Sequence, residues 1–290
     1  MNTNTICHYL SPDGIRLTIA DTSKAAKEAE TLHHLPEASA VILAKVMTGA
    51  AMIANDFKNH EGVTFKWVTG SPLGEIHADA YDGHFVRGYI EHPEAGIDKS
   101  CIPEDEAALV SKHARLFVTR YSLLKLPYTS AVPLSPGDIS ACLTEYLNTS
   151  EQTLSAIKLS TQIDESGKII ASIGFLAQLM PDGNLPVFAG YFKDLTYWNL
   201  HDSVNSIHSL ETLVTKGEFQ LLSKGSLNFG CTCSEARIRS AVTALPISEQ
   251  EELLRDPFIE TVCHYCGKKY IISREMLKKW FADKEKEKIQ

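Results

Sequence analysis

The chain has 290 residues, of which 44% are hydrophobic and 22% charged, enough apolar material for one large domain and a smaller one and too much for a disordered chain. Its net charge of −8 opposes phosphate backbones and anionic lipid, so neither nucleic acid nor a membrane surface is an expected partner. The amino terminus, MNTNTICHYL, lacks the basic and apolar regions of a secretory signal. The most apolar stretch, 38–54, is interrupted by Lys45 and contains Ser39, Thr48 and Gly49; it reads as too short and too polar to span a bilayer. The expected location is the cytoplasm.

In chain order, residues 36–58 predict a broad-faced, buried helix, with Val41, Met47, Ala50, Ile53, Ala54 and Phe57 at helical spacing. Strands are predicted at 63–68, 75–81 and 85–90, the last two joined by an Asp82-Gly83 turn, and again at 116–121. Asp138 is a good N-cap for a helix burying Ile139, Cys142, Leu143, Tyr146 and Leu147, where Cys142 reads as a small core residue. Strands at about 153–162 and 168–179 flank a Glu165-Ser166-Gly167 turn. This order predicts an α+β domain with a largely antiparallel sheet and packed helices, closed by the breaker cluster Met180-Pro181-Asp182-Gly183.

Beyond it the apolar runs thin out. An amphipathic helix fits 196–214, so 182–226 reads as a helical linker with little core of its own. The expected division is a core domain at 1–181, a metastable linker at 182–226 and a small zinc-binding domain at 227–290, with a charged tail from Lys278 that frays.

Seven cysteines in a chain with no export signal argue against a disulfide framework. Four fall between 231 and 266, as Cys231-Thr232-Cys233 and Cys263-His264-Tyr265-Cys266-Gly267. Cys-x-x-Cys-Gly is a tight knuckle that aims two sulfurs at one point, and four thiolates complete a tetrahedral zinc site. The intervening 234–262 predicts two short helices, one capped by Ser234 and one by a Ser248/Glu251 capping box, followed by a small hairpin of 258–262 and 270–272. A domain this small would draw much of its folding free energy from the metal, on the order of 10–16 kcal/mol in comparable peptides. Two roles stay open on spacing alone. One is a structural knob; the other is a switch, because thiolates are the reactive form and the pairs Cys231/Cys233 and Cys263/Cys266 could each close a disulfide.

These cysteine motifs resemble those of the redox-regulated 33 kDa chaperonin family. So do Asp138-Ile139-Ser140-Ala141-Cys142-Leu143-Thr144-Glu145-Tyr146 with Ser150-Glu151-Gln152, and Gly174-Phe175-Leu176-Ala177-Gln178-Leu179-Met180-Pro181; Ile173-Gly174 stands where many members carry paired glycines. The resemblance covers essentially the whole chain. It implies a chaperone, not an enzyme, inactive while zinc is bound. Peroxide or hypochlorous acid would convert the four cysteines to two disulfides, zinc would leave, and the carboxyl-terminal domain and linker would unfold. The exposed surface would hold unfolding client proteins without ATP, commonly as a homodimer.

Two other classes carry less. Arg237, Arg239, Lys268 and Lys269 near the cysteines would suit a zinc-ribbon nucleic-acid binder, but they equally offset the charge of four thiolates. No Gly-x-Ser-x-Gly, His-Glu-x-x-His or phosphate loop marks a catalytic site, and His33-His34 and His201/His208 lack the spacing of a helical metal pair.

Overall fold

The structure is a computed structural model that describes residues 4–54, 61–81, 85–95, 106–111, 113–122, 125–195, 214, 216 and 218–289. It divides into two compact units, Met1–Gly230 and Cys231–Gln290.

The first unit is built on two sheets. Strands β1 (Thr5–Leu10), β2 (Ile15–Asp21), β8 (Ser155–Ile163), β9 (Ile169–Leu179) and β10 (Gln220–Ser226) form one, in the order β10-β1-β2-β9-β8. Strands β3 (Gly62–Val68), β4 (Glu75–Tyr81), β5 (Phe85–Ile90), β6 (Arg115–Ser122), β7 (Lys125–Pro133) and β11 (Asn228–Phe229) form the other, in the order β11-β5-β4-β3-β6-β7. Every pairing is antiparallel except β11 on β5. The helices are α1 (Ser23–His33), α2 (Glu37–Ala54), α3 (Glu106–Val110), α4 (Ile139–Thr149) and α5 (Leu185–Leu195). This is the expected α+β class, split over two sheets.

Helix α2 packs against strands of both sheets, which is why its apolar face is broad. Val63, Phe65 and Trp67 of β3 meet it from one side, and Leu159 and Leu176 from the other, all within one core. Trp67 is fully buried and its indole donates to the Val110 carbonyl at 2.7 Å, which satisfies its one polar atom. Two glycines permit the close approach. A Cβ on Gly88 would meet the His77 carbonyl oxygen at 2.7 Å, and one on Gly49 would run into Leu143 Cδ1. By length and composition α2 could in fact cross a membrane, contrary to the expectation from its polar interruptions; it is a core helix because 78% of it is buried inside the unit.

Helix α4 starts as expected, with the Asp138 carboxylate accepting from Ala141 N at 2.8 Å. Its Ser140, Thr144 and Asn148 recur every four residues and so form one stripe. Their side-chain oxygens accept the outward amides of the edge strand β8, from Leu159 (3.1 Å), Ile157 (3.2 Å) and Ser155 (2.7 Å). The helix thereby closes a sheet edge.

At the far edge of the second sheet, Leu134 N donates to the Ala114 carbonyl at 3.1 Å, which makes that facing pair hydrogen-bonded. The ladder alternates, so the backbone nitrogens of Pro133, Ala131 and Thr129 point away from β6.

The second face of the first sheet is also apolar. Ile15, Leu17, Ile173, Phe175 and Ala177 form a separate cluster covered by Phe188 of α5 and by Phe219. The segment expected as a helical linker thus supplies a helix and, at 220–226, a strand. That strand escaped the pattern because it has no buried face: its residues are nearly all exposed and the β1 ladder holds it. The helix expected at 196–214 and the Asp82-Gly83 turn lie outside the described residues, apart from Val214.

Candidate metal centre

The second unit contains α6 (Glu235–Thr243), α7 (Ile247–Leu253), the hairpin β12 (Phe258–Val262) and β13 (Lys269–Ser273), and α8 (Arg274–Ile289). Ser234 caps α6 by accepting from Arg237 N at 3.3 Å. The Ser248/Glu251 capping box does not form: α7 begins one residue after Pro246, whose fixed φ of −55° already suits a helix start, so Ser248 lies inside the helix. The tail expected to fray is the helix α8, because Leu277 and Trp280 are buried against Ile272. Among the described residues those three are the buried core of the unit; Ile238, Val242, Ile259 and Tyr270 pack around it half-exposed.

The four expected ligands converge. The Sγ atoms of Cys231, Cys233, Cys263 and Cys266 all lie within 4.8 Å of one another. Cys231 is 3.6 Å from Cys263, Cys233 is 3.3 Å from Cys266, and none is in a disulfide. Tetrahedral zinc with Zn–S bonds of about 2.3 Å needs sulfurs about 3.8 Å apart, so the donor set fits such an ion. The knuckle forms as the motif implies. Gly267 takes φ +64° and donates to the Cys263 carbonyl at 2.8 Å, while Cys263 N donates to the Lys268 carbonyl at 3.0 Å.

Sequence reasoning missed one contributor, Tyr270, whose hydroxyl donates to Cys233 Sγ at 3.1 Å. Burial works to raise the Cys233 thiol, but that hydrogen bond and those from Cys266, Cys231 and Cys263 outweigh it and hold Cys233 down at about 7. Burial first, then hydrogen bonding with Cys233, Cys263 and Cys231, pushes Cys266 up to about 12; burial also raises Cys263. One thiolate in the cluster therefore discourages the others, and a fully ionised set needs a cation at its centre. A tetrahedral four-sulfur set suits zinc or iron.

Three of the four neighbouring basic residues are engaged locally. Lys269 pairs with Glu260 at 3.4 Å, Arg239 with Asp283 at 3.4 Å, and Lys268 lies 5.0 Å from the Tyr270 ring centre.

A family model described as Hsp33 protein matches residues 4–273. The chain belongs to the Hsp33 family. A 33 kDa chaperonin from Streptococcus equi subsp. zooepidemicus is 30% identical over 276 residues, covering 93% of this chain and 95% of the relative. Another, from Caldanaerobacter subterraneus subsp. tengcongensis, is 29% identical over 282 residues, covering 91% and 92%. The crystal structure of a 33 kDa chaperonin from Thermotoga maritima superposes with a TM-score of 0.83 at 22% identity, covering 98% of this chain and 99% of that one. At that identity it establishes that the Hsp33 family fold is shared. The expected family and α+β fold therefore stand.

Proposed function

We propose that this chain is a redox-regulated, ATP-independent holdase of the cytoplasm that binds unfolding proteins and keeps them from aggregating. The observation that carries this is the convergence of four thiols within 4.8 Å in a unit that has three buried core residues among those described. Family membership supports the chaperone class and a role without catalysis.

In the resting state Cys231, Cys233, Cys263 and Cys266 would hold one zinc ion as thiolates, and the ion would clamp the two ends of the second unit together. On oxidation Cys231 would pair with Cys233 and Cys263 with Cys266. Each disulfide forms as two thiolates give up two electrons to one peroxide, which takes two protons from the solvent and leaves as two waters, while the zinc ion departs into solution. The choice of pairs matters physically. The present close contacts are Cys231 with Cys263 and Cys233 with Cys266, and links of that kind would keep the unit stapled. Links within each motif consume all four donors and leave nothing joining the two ends.

With only Ile272, Leu277 and Trp280 fully buried, the unit then has too little core to stay folded. The proposed division keeps 1–181 as the stable core, 182–226 as a metastable linker and 227–290 as the switch. Loosening the linker would uncover the apolar cluster of Ile15, Leu17, Ile173, Phe175 and Ala177, now shielded by Phe188 and Phe219. Pairing of two activated copies over such surfaces would give a homodimer.

The test is light scattering from thermally unfolding citrate synthase, with metal release followed by a chromogenic chelator. Peroxide at elevated temperature should release one zinc per chain and suppress scattering, and the reduced protein should do neither. Metal release with scattering unchanged would refute the proposal.

A further inference from the structure

Strand β10 is attached to the first sheet almost wholly through its backbone. Its ladder with β1 runs from Thr5 opposite Ser226 to Leu10 opposite Gln220. Every one of its residues except Gly225 is exposed, including Leu221 and Leu222. The buried anchors lie just outside it, at Phe219 and Leu227, and Leu227 N donates to the Asn4 carbonyl at 2.9 Å. The chain continues at once into β11, which pairs with Phe85 and Val86 of β5, and then reaches Cys231. Residues 220–229 thus cover an edge of each sheet and end beside the first cysteine of the cluster.

We propose that the outer edge of β1 is a binding site for extended segments of unfolded polypeptide, and that β10 fills it as an internal stand-in until the second unit comes apart. This rests on the holdase function proposed above and names where a client would dock. A site filled by a strand with almost no buried side chains selects for backbone, not sequence; main-chain hydrogen bonds supply the affinity. Once β10 leaves, the outward N–H and C=O groups of β1 need a partner. An unfolded chain offers such groups in extended form along much of its length, whereas a folded protein has most of its own already paired. Meanwhile β1 stays rigid, because Ile6 is fixed in the main core and Tyr9 packs on the second cluster.

The register supplies a lock. The Asn4/Leu227 pair is hydrogen-bonded, so alternation makes Cys7 and Lys224 a non-hydrogen-bonded pair, with Cα atoms about 4.5 Å apart. Lys224→Cys would place two cysteines within disulfide reach. In the full-length variant, peroxide should close this link too, taking two electrons and two protons and leaving as two waters. The linked protein should release its metal as the wild type does, yet suppress citrate synthase aggregation at least five-fold less well. Adding Cys7→Ser, which prevents the link, should restore suppression. A linked variant as active as the oxidised wild type overturns the proposal.

The same alternation aims the amides of Ile6 and His8 at β10. A second measurement on the wild type is therefore hydrogen exchange at those two amides after oxidation. They should exchange freely alone and slow markedly when unfolded citrate synthase is bound; equal exchange in both conditions also overturns the site. If the oxidised wild type suppresses no aggregation at all, the holdase function itself falls and this site with it. That outcome is distinct from an active wild type with an equally active locked variant.

Discussion

The phenol of Tyr270 donates to the sulfur of Cys233 at 3.1 Å, so strand β13 is tied to the opposite half of the cysteine cluster. Residues that hydrogen-bond metal ligands from outside typically contribute 10- to 100-fold in affinity. Tyr270→Phe should therefore weaken zinc retention about ten-fold in chelator competition while the circular dichroism of the resting protein is unchanged. Unaltered affinity would make the hydroxyl a bystander.

Metal removal should divide the molecule. A strong chelator under reducing conditions should abolish hydrogen-exchange protection in α6 and α8, whose packing rests on Ile272, Leu277 and Trp280, and leave α2 and β3 protected. Cys263→Ser should do the same without chelator. Persistent protection in α8 would show that the small core suffices without a metal.

His8 gives the first unit a pH dependence. Its Nδ1 bonds Thr18 Oγ1 at 3.0 Å and its Nε2 is buried without a partner. Burial, then the positive charge of Arg16, lowers its pKa to about 4, against 6.5 for a free imidazole. Between those values the unfolded chain holds a proton that the folded chain does not. Stability is therefore complete above about pH 6.5 and falls as the pH drops toward 4, by up to about 3 kcal/mol. Denaturant titrations across this range should show that slope in the wild type and a flatter one in His8→Asn; equal slopes would refute it.

The stripe on α4 should be felt in stability. Asn148→Ala leaves the Ser155 amide without its acceptor at a buried sheet edge and should cost about 1–3 kcal/mol in urea unfolding of the first unit. A change below a few tenths would mean that water replaces the side chain.

Much of this was legible in the sequence because periodic burial left a trace. Helix α2, strands β3 to β6 and α4 with its Asp138 cap follow from side chains that alternate or recur against a core. The four sulfurs were legible from spacing alone, since a knuckle followed by glycine leaves the backbone little choice. Elements without such a trace were not. Strand β7 carries exposed Leu126 and Tyr128, and β10 has no inward face, so neither alternates. Helix α8 is mostly charged and declares itself only through Leu277 and Trp280. Tyr270 was expected as a hairpin residue, but its bond to Cys233 depends on a fold-back that no local pattern encodes.

The prolines of β7 have a consequence for a protein proposed to work among unfolding chains. Leu126 and Tyr128 are 92% and 68% exposed on a nine-residue border strand, a profile that invites fibril seeding. Pro133 occupies an outward position where its missing N–H costs the native ladder nothing, and Pro127 lies where the register shifts and has no donor to offer. An incoming strand finds a row of donors broken at both prolines. On the function and client site proposed above, the molecule would gather unfolding protein at one border of its architecture without serving, at another, as the nucleus of a growing aggregate.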